Sequence, residues 1–256
     1  MSFIGKRNNS EKASSMTLIA ADFHSHILPC LDDGSESVEE SLEMLKLSYS
    51  QGIRTIIATP HFYPQYQKLE RFLEKRAQSV SMLKEAMAKG RAAGEKYPDI
   101  LVGAEVAYFS GISRCDVLGQ LCVEDTRLVL VEMPFQKWND KIIDEMLEMK
   151  RNLDVIPVLA HIDRYFSGQS GRMVKKLFVE DILIQANAES FIERKSRKRM
   201  LKMIQSDMID FVGSDCHNMS VRLPNVGEAS KIICEKLGDE AIDKINEFGN
   251  FVFQCE

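Results

Sequence analysis

The sequence predicts an α/β domain, a distorted seven-stranded (β/α)7 barrel that is TIM-barrel-like in plan. Three observations predict it. Strand-like and helix-like segments alternate from one end of the 256 residues to the other. The strand segments are continuous apolar runs rather than alternating ones, as parallel strands buried on both faces require. All five histidines lie at the ends of such runs, and the C-terminal ends of barrel strands converge on one mouth. An open doubly wound sheet is the alternative. It calls for a glycine-rich phosphate turn after the first strand, and none follows TLIAADFH.

The elements follow in order. TLIAADFH is a strand, and SVEESLEMLKLSYSQG an amphipathic helix with Ser37 and Glu40 as a capping box and Gly52 as its stop. TIIATPH is the second strand, followed by the long helix KLERFLEKRAQSVSMLKEAMAKG. ILVGAEVAYF reads as one strand and ISRCDVLGQL as a short helix. RLVLVEMPF, VIPVLAHI, ILIQANAES and DFVGSDCH are the remaining strands. The helices DKIIDEMLEMKRNL, GRMVKKLFVE and ERKSRKRMLKMIQSD separate them, and NVGEASKIICEKLG is the last helix. No linker, fixed-period repeat or low-complexity tract interrupts the series. Residues 1–16 are therefore expected to be a flexible N-terminal extension, with Met16 an alternative start, and 17–256 a single domain.

Composition narrows the function classes. The formal net charge of -5 argues against a nucleic-acid partner held by bulk electrostatics. No apolar run is long enough to span a bilayer, and the N-terminus does not read as a signal peptide. The six cysteines form no C-x-x-C pair, so free thiols in a reducing cytoplasm are expected. Oligomeric state is not legible.

The chemistry lies at the strand ends. His24 and His26 are two residues apart, so a strand points both side chains to one face. Asp32 and Asp33 follow in the next loop. His61, Glu105, Glu132 and His161 mark the second to fifth strands, and Asp215 and His217, again two apart, the seventh. Glu105 and Glu132 interrupt apolar stretches, where a carboxylate is costly without a partner. Imidazole plus carboxylate, without clear thiolate, suits manganese, iron or zinc. So many candidates exceed one coordination shell, which implies two or three divalent transition metals. Such sites clamp a phosphoryl group and activate water.

These motifs, in this order, resemble the PHP (polymerase and histidinol phosphatase) superfamily, and within it the bacterial capsule and exopolysaccharide protein-tyrosine-phosphatase branch. The opening DFHSHILPCLDDGSESVEESLEML is similar to that branch's start, and ATPH, GAE, LVEMPF, AHIDRY and GSDCHN to its later blocks. The resemblance implies a trinuclear site, commonly loaded with manganese. His24, His26, Glu105 and Asp215 would hold one ion, Glu105, Glu132 and His161 a second, and Asp33, His61 and His217 a third. It also implies that Arg164 is the catalytic arginine and that Arg222 reaches the phosphate. The implied substrate is a phosphotyrosine protein, a bacterial tyrosine kinase controlling capsule or exopolysaccharide synthesis. The alternative is a small-molecule phosphomonoesterase such as histidinol phosphatase.

One feature competes with this reading, and two others have open roles. Cys216 and Arg222 have the C-x5-R spacing of cysteine-dependent tyrosine phosphatases. The intervening loop holds no glycine to cradle phosphate, and His217 is better used on metal. The basic run 193–202 reads as a solvated helix face, or as a docking stripe for an acidic or phosphorylated tail. Phe62, Tyr63, Tyr66 and Phe135 follow ligand strands and either pack the core or line a slot for a phenyl ring.

Overall fold

The computed structural model describes residues 17–179 and 182–254. The expected extension over 1–16 and the thiol of Cys255 lie outside them. Among the described residues nine strands form, and every pairing between them is parallel. β1 (Ala21–Ser25), β2 (Thr55–Ala58) and β4 (Asp99–Val102) make a three-stranded sheet in the order β1-β2-β4. The second sheet holds β3 (His61–Phe62), β5 (Glu105–Ala107), β6 (Leu128–Glu132), β7 (Ile156–Leu159), β8 (Leu183–Asn187) and β9 (Phe211–Gly213) in that order. The result is a single α/β domain around a curled parallel sheet.

The sequence expectation of one strand across ILVGAEVAYF fails at Gly103–Ala104, and TIIATPH is likewise broken at Thr59–Pro60. Proline has no N–H to give a ladder. The chain crosses these breaks with Gly103 N–H donating to Ala58 O at 2.8 Å and Glu105 N–H to Pro60 O at 3.0 Å. The offset puts His61 and Glu105 side by side as a register pair.

β1 and β9 meet through the bridge Ser25–Cys216 and the bonds Asp215 N–H to His24 O, 2.7 Å, and His26 N–H to Cys216 O, 2.9 Å. Gly213 permits the approach, because a Cβ there would sit 2.5 Å from His24 Cβ and 2.7 Å from its backbone nitrogen.

The helices are α1 (Val38–Ser50), α2 (Leu69–Ala92), α3 (Asp140–Asn152), α4 (Gly171–Val179), α5 (Glu189–Ile192), α6 (Arg194–Gln205), α7 (Val226–Leu237) and α8 (Asp239–Gln254). Ser37 caps α1 by accepting from Glu40 N–H at 3.1 Å, as the capping box predicts. Glu40 departs from that motif, since its carboxylate takes the N–H of Glu36 rather than that of Ser37. Met44, Leu45 and Ser48 turn to the core at helical spacing. Asn139 caps α3, whose Ile143, Met146 and Met149 are buried.

Three expectations are corrected. ISRCDVLGQL forms two 3-10 turns, Ile112–Arg114 and Leu118–Leu121, rather than one helix. Glu189–Ile192 forms a separate short helix before α6. And α7 is not the last helix, because Ile242 and Ile245 of α8 bury against the core three residues apart.

Candidate metal centre

The expected site residues meet at one end of the sheet, at strand ends or at the breaks after β2 and β4. His24 lies on β1 and His26 just past it. His61 opens β3, Glu105 opens β5 and Glu132 closes β6, while His161 follows β7 and Asp215 and His217 follow β9. His24, His26, Glu105, His161, Asp215 and His217 are buried. Glu132 is 14% exposed and Asp33, on the loop after β1, 68%. His161 and Asp215 have left-handed backbone, φ +33° and +53°. Such conformations cluster where function demands them.

Four ligand-type atoms converge. His24 Nε2 is 3.2 Å from His26 Nε2, 3.2 Å from Glu105 Oε2 and 3.6 Å from Asp215 Oδ1. His26 Nε2 is 3.4 Å from Glu105 Oε2 and 3.5 Å from Asp215 Oδ1. Ligands about 2.1 Å from one divalent ion stand roughly 3.0–3.4 Å apart, so this spacing fits a cation. Three groups of side chains could each hold an ion: His24 with His26 and Asp215, His26 with Asp33, His61 and His217, and His61 with Glu105 and Glu132. His161 joins the last group, its Nε2 lying 2.9 Å from Glu105 Oε1 and 3.5 Å from Glu132 Oε1.

The hydrogen bonds behind these atoms fix the tautomers. Gln185 Oε1 accepts the backbone N–H of His161 at 2.6 Å, which assigns that atom as oxygen. His24 Nδ1, 3.3 Å from the same oxygen, must therefore carry a proton and leave Nε2 with its lone pair facing the carboxylates. His26 repeats the device, with Nδ1 2.7 Å from Asp32 Oδ2. Two lone pairs facing each other across 3.2 Å need a positive charge between them, either a proton or a metal ion. Asp32 also accepts from His61 N–H and Gly34 N–H, and so is a brace rather than a ligand. A Cβ on Gly34 would lie 2.2 Å from His26 O, so only glycine lets this loop fold over the histidine.

Electrostatics follow from the crowding. Burial opposes protonation of His26, yet hydrogen bonds to Asp215, Asp32 and Glu105 hold its pKa well above the usual imidazole value. Burial would raise Glu105 and Asp215, but the neighbouring imidazoles, and Arg164 beside Asp215, hold both well below the usual carboxylate range. His161 is raised to about 9 by Glu105 and Glu132 against the effect of burial. Burial, with the charges of His26 and Arg222, lowers His217 to about 4.

Both expected arginines border the cluster. Arg164, on the turn Ile162–Arg164, donates to Asp215 Oδ2, and Arg222 contacts Asp215 Oδ1 and donates to His217 Nε2 at 2.8 Å. Both line a cavity of about 750 Å³ beside Asp215. Two contributors were not legible in the sequence. Gln185 orients His24 and His161, and Asn187 donates to Asp215 Oδ2 at 2.9 Å. The only signal was a pair of amides two apart on an apolar strand. Cys216 is fully buried, and burial with the charges of Asp22 and Asp215 pushes its thiol far above the usual range, away from thiolate chemistry.

Fold and site together define an α/β protein with a histidine–carboxylate metal-type centre at its strand ends. Residues 20–250 match the family model for capsular polysaccharide synthesis, CpsB/CapC, and the chain belongs to that family. It is similar to the tyrosine-protein phosphatase CpsB of Streptococcus agalactiae serotype III, with 31% identity over 236 residues, 88% of this chain and 93% of that one. It is also similar to the tyrosine-protein phosphatase YwqE of Bacillus subtilis, with 28% identity over 228 residues, 86% of this chain and 85% of that one. A chain from the crystal structures of YwqE from Bacillus subtilis and CpsB from Streptococcus pneumoniae, described as metal-dependent tyrosine phosphatases, shares the fold. Its TM-score is 0.76 at 24% identity, covering 91% of this chain and 94% of that one. A histidinol phosphate phosphatase from Lactococcus lactis shares it more distantly, with TM-score 0.52 at 13% identity, covering 87% and 95%. The capsule-phosphatase resemblance read from the motifs agrees with this family.

Proposed function

We propose that this chain is a metal-dependent protein-tyrosine phosphatase acting on a bacterial tyrosine kinase of capsule or exopolysaccharide synthesis, in the cytoplasm. The observation that carries the reading is the convergence of His24, His26, Glu105 and Asp215 at ligand spacing, with two arginines on its open side. The names of the relatives support the same activity. Among the described residues no helix is long and apolar enough to cross a membrane.

The finer reading is a single domain over 17–256 with the two broken strands counted once each. Seven strand positions would then make the (β/α)7 barrel, a reading that the Ser25–Cys216 bridge supports. Two or three divalent ions, manganese first and iron or zinc as alternatives, would be held by His24, His26, Asp33, His61, Glu105, Glu132, His161, Asp215 and His217. Bound there, they would supply Lewis-acid polarisation of a phosphoryl oxygen and an activated water.

The chain's own residues do the rest. Gln185 and Asp32 hold the imidazoles with Nε2 presented. Arg164 and Arg222, each about a third exposed, bring charged donors to the mouth, where a planar fork suits equatorial phosphate oxygens. Phe135 is 60% exposed and lies parallel to His161 at 6.4 Å between ring centroids, a surface for a substrate phenyl ring. The test is phosphate release from phosphotyrosine, phosphoserine and histidinol phosphate substrates, with manganese and with chelator. Chelator-sensitive turnover of phosphotyrosine over the other two is expected. A preference for histidinol phosphate, or full activity in chelator, would overturn the proposal.

A further inference from the structure

A second cavity of about 560 Å³ lies in the seam between α6 and α7, away from the metal centre. Five cations line it, Arg194, Arg197, Lys198, Lys202 and Lys236, and no carboxylate does. This is unusual on a chain whose net charge is -5. Several helical lysines elsewhere have partners: Lys89 pairs with Glu85 on its own helix, and Lys176 of α4 reaches Asp140 and Asp144 of α3. Arg194, Lys198, Lys202 and Lys236 form no ion pair among the described residues.

Helix stability does not explain the placement. Arg194 and Lys195 sit in the first turn of α6, where cations oppose the helix dipole, and that turn has no acid. Arg194, Lys198 and Lys202 follow at i,i+4, a spacing at which like charges destabilise a helix.

The seam also leads to the mouth. The cavity beside Asp215 is lined by Glu193 and Ser196 at the start of α6 and by Glu228 at the start of α7. The basic cavity is lined by later residues of the same two helices. From Arg194 to Lys202 the helix rises about 12 Å, which an extended polypeptide covers in roughly four residues.

We propose that this seam is a docking groove for an acidic segment of the phosphoprotein substrate, next to the segment that carries the phosphotyrosine. The proposal rests on the phosphatase reading above. A polypeptide suits the cleft, because Leu201 and Leu237 line it along with the cations. A membrane surface requires a flat or convex face, and a nucleic acid would meet the repulsion of the whole acidic molecule.

The test compares the wild-type protein, loaded with manganese, with the variant Arg194→Glu/Lys198→Glu/Lys202→Glu, whose three positions are exposed. Substrates are p-nitrophenyl phosphate, a phosphotyrosine peptide with glutamate runs on both sides, and the same peptide with glutamine in their place. The wild type should show a lower KM for the glutamate peptide, a preference that salt erodes. The variant should raise that KM about threefold to tenfold, with kcat and p-nitrophenyl phosphate turnover unchanged. Equal KM for the two peptides, or no change in the variant, in protein that hydrolyses p-nitrophenyl phosphate, would overturn the groove alone. Failure of both proteins on every phosphotyrosine substrate would overturn the phosphatase reading and the groove with it. Binding of the wild type to anionic vesicles or RNA, lost in the variant without any peptide effect, would also overturn the proposal and give the surface a different partner.

Discussion

Gln185 serves two histidines with one oxygen, accepting the backbone N–H of His161 and facing the imidazole Nδ1 of His24. Replacing it by leucine keeps the size and removes the acceptor. Residues that orient metal-bound histidines typically contribute 10–100-fold in metal affinity. Gln185→Leu should therefore fold, lose affinity by about that factor and regain activity at high metal, as a metal titration followed by turnover would show. Arg164 should behave in the opposite way. It contacts Asp215 from the rim and is not among the groups that could hold an ion. Arg164→Ala should keep its metal content but lose about 10²–10³ in kcat, and Arg164→Lys should recover little, because an ammonium lacks the fork. Near-normal turnover of the alanine variant would reduce Arg164 to an ion-pair partner. Cys216→Ser should stay within a few fold of wild type, since the thiol is buried and held protonated; an inactive, folded serine variant would revive the thiolate alternative. The contrast in legibility at this scale is physical. A histidine or glutamate inside an apolar run announces a cost that something must offset. An amide such as Gln185 or Asn187 announces little, because its worth depends on which neighbour's atom it meets.

At the scale of elements, the sequence predicted where strands and helices alternate but not where two strands break. Periodicity cannot see a break, because Thr59–Pro60 and Gly103–Ala104 interrupt the ladder without interrupting the apolar run. Pro60 was the available signal, and the paired break at Gly103 became legible only with the register known. The helix α8 was missed because Gly238 reads as a terminus, while the Ile242 and Ile245 repeat beyond it is short. The contact between β1 and β9 carries the greatest mechanical consequence. Ligand-type residues lie on β1 and just past both strands, and a Cβ at Gly213 would press within 2.5 Å of His24 Cβ. Gly213→Ala should force the strands apart, lowering stability by about 1–3 kcal/mol, and should weaken metal binding because His24 and Asp215 move apart. Denaturant unfolding and metal titration would test both parts, and an alanine variant with wild-type stability would show that the two strands yield there at no cost.

Across the whole molecule, the centre concentrates more charge than a metal-free fold carries comfortably, and pH should expose this. His26 and His161 have folded pKa values above 6.5, the latter about 9. Their contribution is fully present below the unfolded value and is lost as pH rises through the folded one. Glu105 and Asp215 act in the other direction, contributing above their unfolded values near 4.5 and 3.8 and losing that contribution as pH falls. The metal-free protein should therefore be most stable at mildly acidic pH, between the two ranges, and should lose stability from about pH 6.5 toward 9. Metal should reverse the trend, because histidines that hold a cation must be unprotonated, and an ion held by His24 and His26 would replace the proton there. Raising the pH should thus lower Tm in chelator but enlarge the increase in Tm that manganese gives. Thermal unfolding from pH 6 to 9, with chelator and with manganese, measures both curves. Parallel curves would mean that the histidine protons are not displaced on binding, and that the metal sits elsewhere than at the convergence of His24, His26, Glu105 and Asp215.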